Sequence, residues 1–206
     1  MVSDEPGVSR GFHGRRPADA VQGRIPPGQY LEHGFPVLTA GPTPRVDLAR
    51  WDLRIVGPAG AVLGQWSWPA FCALPHEDIA CDLHCVTRWS KLDTHWRGVP
   101  LDDLLGAVPE GVTHIVAVCD GGYTTNLPLD AVRGGRAWIA DGYEGQPLAP
   151  EHGGPARLLV PALYLWKSAK WVRGFRLLPQ DRPGFWEARG YHNYGDPWKE
   201  QRFWNE

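Results

Sequence analysis

No stretch of this chain approaches the roughly 18 consecutive apolar residues of a membrane-crossing helix. There is no basic excess either. The 21 Lys and Arg face 23 Asp and Glu, for a net charge of -2, whereas a nucleic-acid footprint needs a positive surface. Cysteine is scarce: Cys72, Cys81, Cys85 and Cys119 are the only four in 206 residues, too sparse for a disulfide framework at this length. No apolar segment comes after Arg15-Arg16, so that pair does not read as an export signal. These absences predict a cytoplasmic protein with reduced thiols, no membrane span and no nucleic-acid partner.

What the chain has in quantity is glycine, proline and tryptophan. With 25 Gly and 20 Pro, turns are frequent and long helices cannot dominate. The 11 tryptophans could be core filling, but so many in one chain also suit the walls of a large buried pocket. Residues 1–34 are rich in Gly, Pro, Arg and His without periodicity, and are expected to form an arm. Residues 35–206 are expected to be one domain. Within it, Trp51–Gly57 alternates as a strand, and Leu101–Val108 reads as a short helix after Pro100. His114–Leu129 reads as two extended runs around Asp120-Gly121-Gly122, and Ala137–Leu148, Ala156–Trp166 and Ala169–Pro179 as further strands. The fold class is α+β, mostly β, with mixed sheets and short helices. The aromatic segment Gly184–Trp204 is expected to clasp the body.

The chemistry concentrates in "CDLHCVTRWS", Cys81–Ser90. Spacing alone leaves three readings open. The C-x-x-x-C pair is wrong for a thioredoxin-type dithiol, but the cysteines suit small buried core residues. Cys72, His76, Cys81, His84 and Cys85 supply enough sulfur and nitrogen for zinc, although not as two spaced knuckles. The third reading is a single functional thiolate at Cys85, with His84 and Arg88 as polar neighbours that lower its pKa. Arg157, Lys167, Lys170 and Arg173 lie within one region and offer donors to an anion.

Four segments, in order, carry a family resemblance. "HCVTRWSKLDTHWRGVPLDDLL" resembles the molybdenum-ligand segment of the sulfite-oxidase-like molybdopterin oxidoreductases. This family takes in sulfite oxidases, plant-type nitrate reductases and bacterial methionine-sulfoxide reductase catalytic subunits. "DGGYTTNLPL" is similar to its D-G-Y-T-x-x-x-P-L strand pair. "DGYEGQPLAPEHGGPARLLVPALYLWKSAKWV" resembles its most characteristic block, and "FPVLTAGPTPRVDLARWDLRIVG" its leading segment. The resemblance implies a sulfite-oxidase-type fold and a Mo-molybdopterin cofactor with one pyranopterin, whose dithiolene supplies the other sulfurs. By the same token Cys85 is the molybdenum ligand, and Leu38, Thr39, His84, His152, Arg157, Ser168, Ala169 and Lys170 are cofactor contacts. His152 stands where the sulfoxide-reductase branch has Asn. Arg88 and Tyr123 are candidate catalytic contacts; Arg173, Asp120 and His192 are lesser candidates.

The implied reaction is a two-electron oxygen-atom transfer to or from a small oxyanion or S/N-oxide, with electrons exchanged with a separate haem or flavin protein. Two alternatives stand beside it. One is a zinc-stabilised binding module, and the other a cofactor-bearing interaction protein without turnover.

Overall fold

A computed structural model describes residue 21 and residues 23–206. Most of the expected N-terminal arm, with Arg15-Arg16, lies outside the described residues. The described chain folds as two mixed sheets over one shared core.

The first sheet runs β1 (Tyr30–Leu31), β5 (Trp89–Pro100), β8 (Trp138–Tyr143) and β10 (Arg157–Leu159), with β4 (Glu77–His84) on β5 and β9 (Gln146–Pro147) on β8. The second runs β3 (Val62–Ser67), β2 (Asp52–Val56), β11 (Val172–Leu178), β6 (His114–Cys119) and β7 (Thr124–Pro128). Only β1 on β5 and β2 on β11 pair in parallel. The described residues also form three short α-helices, α1 (Trp68–Cys72), α2 (Leu101–Leu105) and α3 (Leu129–Val132).

Sequence pattern explains the placement. In β2 the alternation puts Leu53 and Ile55 inside and Arg54 outside. The apolar run of β6 sits between β11 and β7, with Ile115 and Ala117 fully buried. These residues meet Val99, Ile139 and Leu158 from the first sheet, together with Leu101 and Leu104 of α2, in the main core. Gly174 is required by close approach: a Cβ there would lie 2.2 Å from Arg54 O.

The structure departs from expectation at Ala156–Trp166. Only Arg157–Leu159 is strand. Pro161 lacks an N–H for the ladder, and the chain turns repeatedly: Leu163 N–H donates to Val160 O at 3.1 Å, and Lys167 N–H to Tyr164 O at 2.9 Å. The strand expected from Ala169 begins only at Val172. Residues 160–171 are therefore a buried irregular loop, and a buried loop needs polar partners.

Lys167 and Glu187 supply them. Their charged groups meet at 2.6 Å with both side chains at 0% exposure. Glu187 Oε1 also accepts from Trp166 Nε1 at 2.9 Å and Thr125 Oγ1 at 2.8 Å. Lys167 Nζ donates to Asn126 O at 2.7 Å and Asn126 Oδ1 at 3.1 Å. Asn126 Nδ2 in turn reaches Asp181 Oδ1 at 2.7 Å. One network thus ties the loop, β7 and the C-terminal segment together.

Removing one member strands a buried charge, so Lys167→Met is expected to cost about 3–5 kcal/mol. In urea titrations the double variant with Glu187→Met should lose less than the sum of the two single variants.

Candidate functional site

The β4–β5 hairpin ends in the turn Cys85–Arg88. Cys85 N–H donates to Trp89 O at 2.8 Å and Arg88 N–H to Cys85 O at 3.0 Å, with Arg88 at φ +75°. This turn opens onto a cavity of about 500 Å³. The exposed strap over residues 35–44 crosses it. The loop 165–171, the turn at Asp120–Tyr123 and the C-terminal residues Phe185, Trp186 and Tyr191 complete the walls. A cavity of this size, mostly apolar with a few convergent polar groups, suits a small molecule or cofactor.

Its cations are unusual. Arg157 is 2% exposed and has no carboxylate partner among the described residues. Its guanidinium donates to the main-chain oxygens of His152 at 2.9 Å and Ser168 at 2.7 Å, and lies 5.5 Å from the Trp96 ring centre. Burial pushes its pKa down to about 10, which leaves it charged at neutral pH. Lys170 donates to Leu38 O at 2.9 Å and Glu151 O at 2.6 Å, tying the strap to the body. Burial first, and then Arg157, bring its pKa to about 8.

Cys85 is buried, and burial raises its thiol above the usual range. The Thr87 hydroxyl, 3.1 Å from Sγ, and the backbone N–H groups of Thr87 and Val86 act in the opposite direction. His84 does not, contrary to the expectation from its neighbouring position. Burial drives its pKa to about 4, so it is neutral. It shares a hydrogen bond with Ser90 Oγ at 2.9 Å and lies outside the cavity lining. Arg88 is exposed, reaches toward Gly28 and also lies outside the lining.

Leu38, Thr39, Tyr123, Arg157, Ser168, Ala169 and Lys170 all line the cavity with Cys85. The Tyr123 hydroxyl is already committed to Trp166 O at 2.6 Å. His152 sits behind the wall, stacked on Phe35 at 4.1 Å between ring centres, and its Nδ1 lacks a partner. Of the lesser candidates, Asp120 is in the lining and Arg173 and His192 are not. Arg173 pairs with Asp52 at 2.7 Å and Asp120 at 3.4 Å, and His192 Nδ1 accepts from Tyr194 N–H at 3.0 Å. Sequence reasoning missed Thr87, Trp89, Trp171, Trp186 and Tyr191 as wall residues; the tryptophan count was their only signal.

The zinc set does not assemble. Among the described residues no three His, Cys, Asp or Glu side chains converge on a metal-sized site. Cys72 is exposed on α1, and Cys81 sits on β4 with its pKa raised by burial to about 11.

Residues 40–186 match the family described as the oxidoreductase molybdopterin binding domain. The chain belongs to that family. Its cofactor is Mo-molybdopterin. An uncharacterized oxidoreductase, YuiH, of Bacillus subtilis (strain 168) is 40% identical over 195 residues, covering 93% of this chain and 98% of the relative. The protein-methionine-sulfoxide reductase catalytic subunit MsrP of Ralstonia nicotianae is 28% identical, covering 59% of this chain and 41% of that protein. The sulfane dehydrogenase SoxCD of Paracoccus pantotrophus shares the fold, with a TM-score of 0.59 at 20% identity, over 67% of this chain and 40% of that one. The sulfite-oxidase-type fold expected from the sequence is thus present. Among the described residues no helix is long and apolar enough to cross a membrane.

The site fits such a cofactor on its own chemistry. A buried guanidinium without a counter-ion calls for an anion. A single protein thiol in the lining is compatible with a metal whose remaining ligands arrive with the cofactor.

The cations are held at their spacing by Gly153, at φ +112°, where a Cβ would fall 3.0 Å from Arg157 Cβ and 3.1 Å from Lys170 Cα. Gly153→Ala is expected to lower stability by about 2 kcal/mol, as a drop in the thermal unfolding midpoint read by circular dichroism.

Proposed function

We propose that this protein is an oxygen-atom-transfer enzyme in which Cys85 is the protein ligand to molybdenum. The observation that carries the reading is the sharing of one aromatic cavity by a lone buried thiol and an unpaired buried guanidinium. Arg157 and Lys170 would hold the pterin phosphate, Arg157 through its planar fork and Lys170 as a mobile charge. Lys170 now spends its protons on Leu38 O and Glu151 O, neutral acceptors that a phosphate outcompetes. Ser168 and Ala169 present a small-residue wall, and Leu38 and Thr39 cover the site from the strap. His152, braced by Phe35, presents its carbonyl to Arg157 and so aims the guanidinium. When bound, the cofactor supplies two-electron oxygen-atom transfer chemistry. The chain orients it, screens it from water and admits substrate.

The lining also bears on substrate. Once Arg157 and Lys170 are engaged, the remaining lining residues among those described carry no cation. They are Phe35, Trp89, Tyr123, Trp166, Trp186 and their neighbours, with Asp120 as an acidic member. A sulfite or nitrate ion would find no partner there. A neutral S-oxide or N-oxide with an apolar body fits the aromatic walls. Electrons would come from a separate haem or flavin protein. The free state of all four cysteines accords with a reducing, cytoplasmic setting. Residues 35–206 would form the oxidoreductase domain and residues 1–34 an arm. Arg24, ion-paired with Asp82 and Asp93 at 2.6 Å each, and Gln29, donating to Cys85 O at 3.1 Å, are contacts of that arm with the hairpin.

Protein purified from a molybdate-replete host should carry stoichiometric molybdenum and no zinc. Cys85→Ser should lose both the thiolate-to-molybdenum absorption and turnover; zinc in place of molybdenum would overturn the reading. In stopped-flow tests, aryl sulfoxides or N-oxides should reoxidise the reduced enzyme at least tenfold faster than nitrate does, a difference of about 1.4 kcal/mol in barrier. A preference for nitrate, or efficient reduction by sulfite, would reverse the substrate assignment.

A further inference from the structure

We infer that Thr87 is a positioning residue that holds the Cys85 sulfur and sets the reduction potential of the metal bound to it. The inference rests on the reading of Cys85 as the metal ligand. Its own basis is local geometry. Thr87 Oγ1 donates to Cys85 Sγ at 3.1 Å. Among the described residues this is the only hydrogen bond of that hydroxyl. The turn is closed on both sides by main-chain bonds of 2.8 and 3.0 Å, and the Cys85 carbonyl is held by Gln29 Nε2 at 3.1 Å. Sulfur and hydroxyl therefore keep their spacing.

A hydrogen bond to a metal-bound thiolate withdraws electron density from the sulfur. The metal becomes easier to reduce, and the thiolate's orientation is fixed. Backbone donors cannot be changed without changing the fold, so the hydroxyl is the adjustable member. Thr87 is exposed, although Cys85 is buried. Valine is its isostere without the proton, and serine keeps the proton without the methyl.

The test uses the molybdenum-loaded full chain. Thr87→Val is expected to shift the thiolate-to-metal absorption to longer wavelength. It should also lower the reduced-to-oxidised ratio at fixed potential about tenfold, or about 30 mV for a two-electron couple. Thr87→Ser should restore both, and Thr87→Ala should repeat the valine result with a smaller side chain. An unchanged band and potential in Thr87→Val and Thr87→Ala overturns the inference. So does a serine variant that behaves like valine, which would make the effect one of packing. Cys85→Ser separates the two levels. If it keeps the band, the ligand assignment fails; if it loses the band while Thr87→Val matches the parent, only the role of Thr87 fails.

Discussion

The buried ion pair between Lys167 and Glu187 is the constraint on which the rest depends. A loop of irregular backbone cannot sit inside a protein unless its polar groups are answered. Here one carboxylate oxygen answers a lysine, an indole and a threonine. The loop can then run beneath the surface, and its far end delivers Ser168, Ala169 and Lys170 to the cavity. The same carboxylate fixes the C-terminal segment, so Phe185, Trp186 and Tyr191 stand as the facing wall. Hydrophobic packing alone would hold these segments less specifically, because aromatic side chains tolerate several arrangements of similar energy.

Two buried cations lie within ten residues of each other and differ in kind. Lys167 has its counter-ion and is structural. Arg157 has only carbonyl dipoles and a ring face. Carbonyl oxygens solvate a guanidinium but do not neutralise it. The fold therefore carries an electrostatic demand at that point, which under the proposed function a dianionic phosphate would meet. The contrast is physical, and it separates a framework charge from one held in reserve for a ligand.

Much of the fold was legible in the sequence. The alternation of Trp51–Gly57 and the apolar run from His114 gave strands where β2 and β6 lie. The helix expected at Leu101–Val108 after Pro100 is α2, which stops earlier, at Leu105, because Gly106 caps it. The loop at 160–171 was not legible, because an apolar run reads alike as a strand or as a buried loop, and only long-range partners decide between them. At the site, family likeness singled out Cys85, Arg157 and Lys170, and all three line the cavity. Adjacency in sequence misled for His84 and Arg88. The last residue of a strand and the far residue of a tight turn point away from the residue between them. Thr87 was invisible because a threonine two residues from a cysteine has no signature until the turn is closed.

The walls of the cavity run from Phe35 to Tyr191. This has a consequence for the protein's birth. As the chain emerges from the ribosome, the hairpin with Cys85 appears about a hundred residues before the far wall and the partner of Lys167. No partly made chain contains the chamber, and a domain of this size folds as a unit. The cofactor must therefore meet a chain already made through Tyr191. The strap over residues 35–44, latched to Lys170 through Leu38 O, is the part of the wall made first.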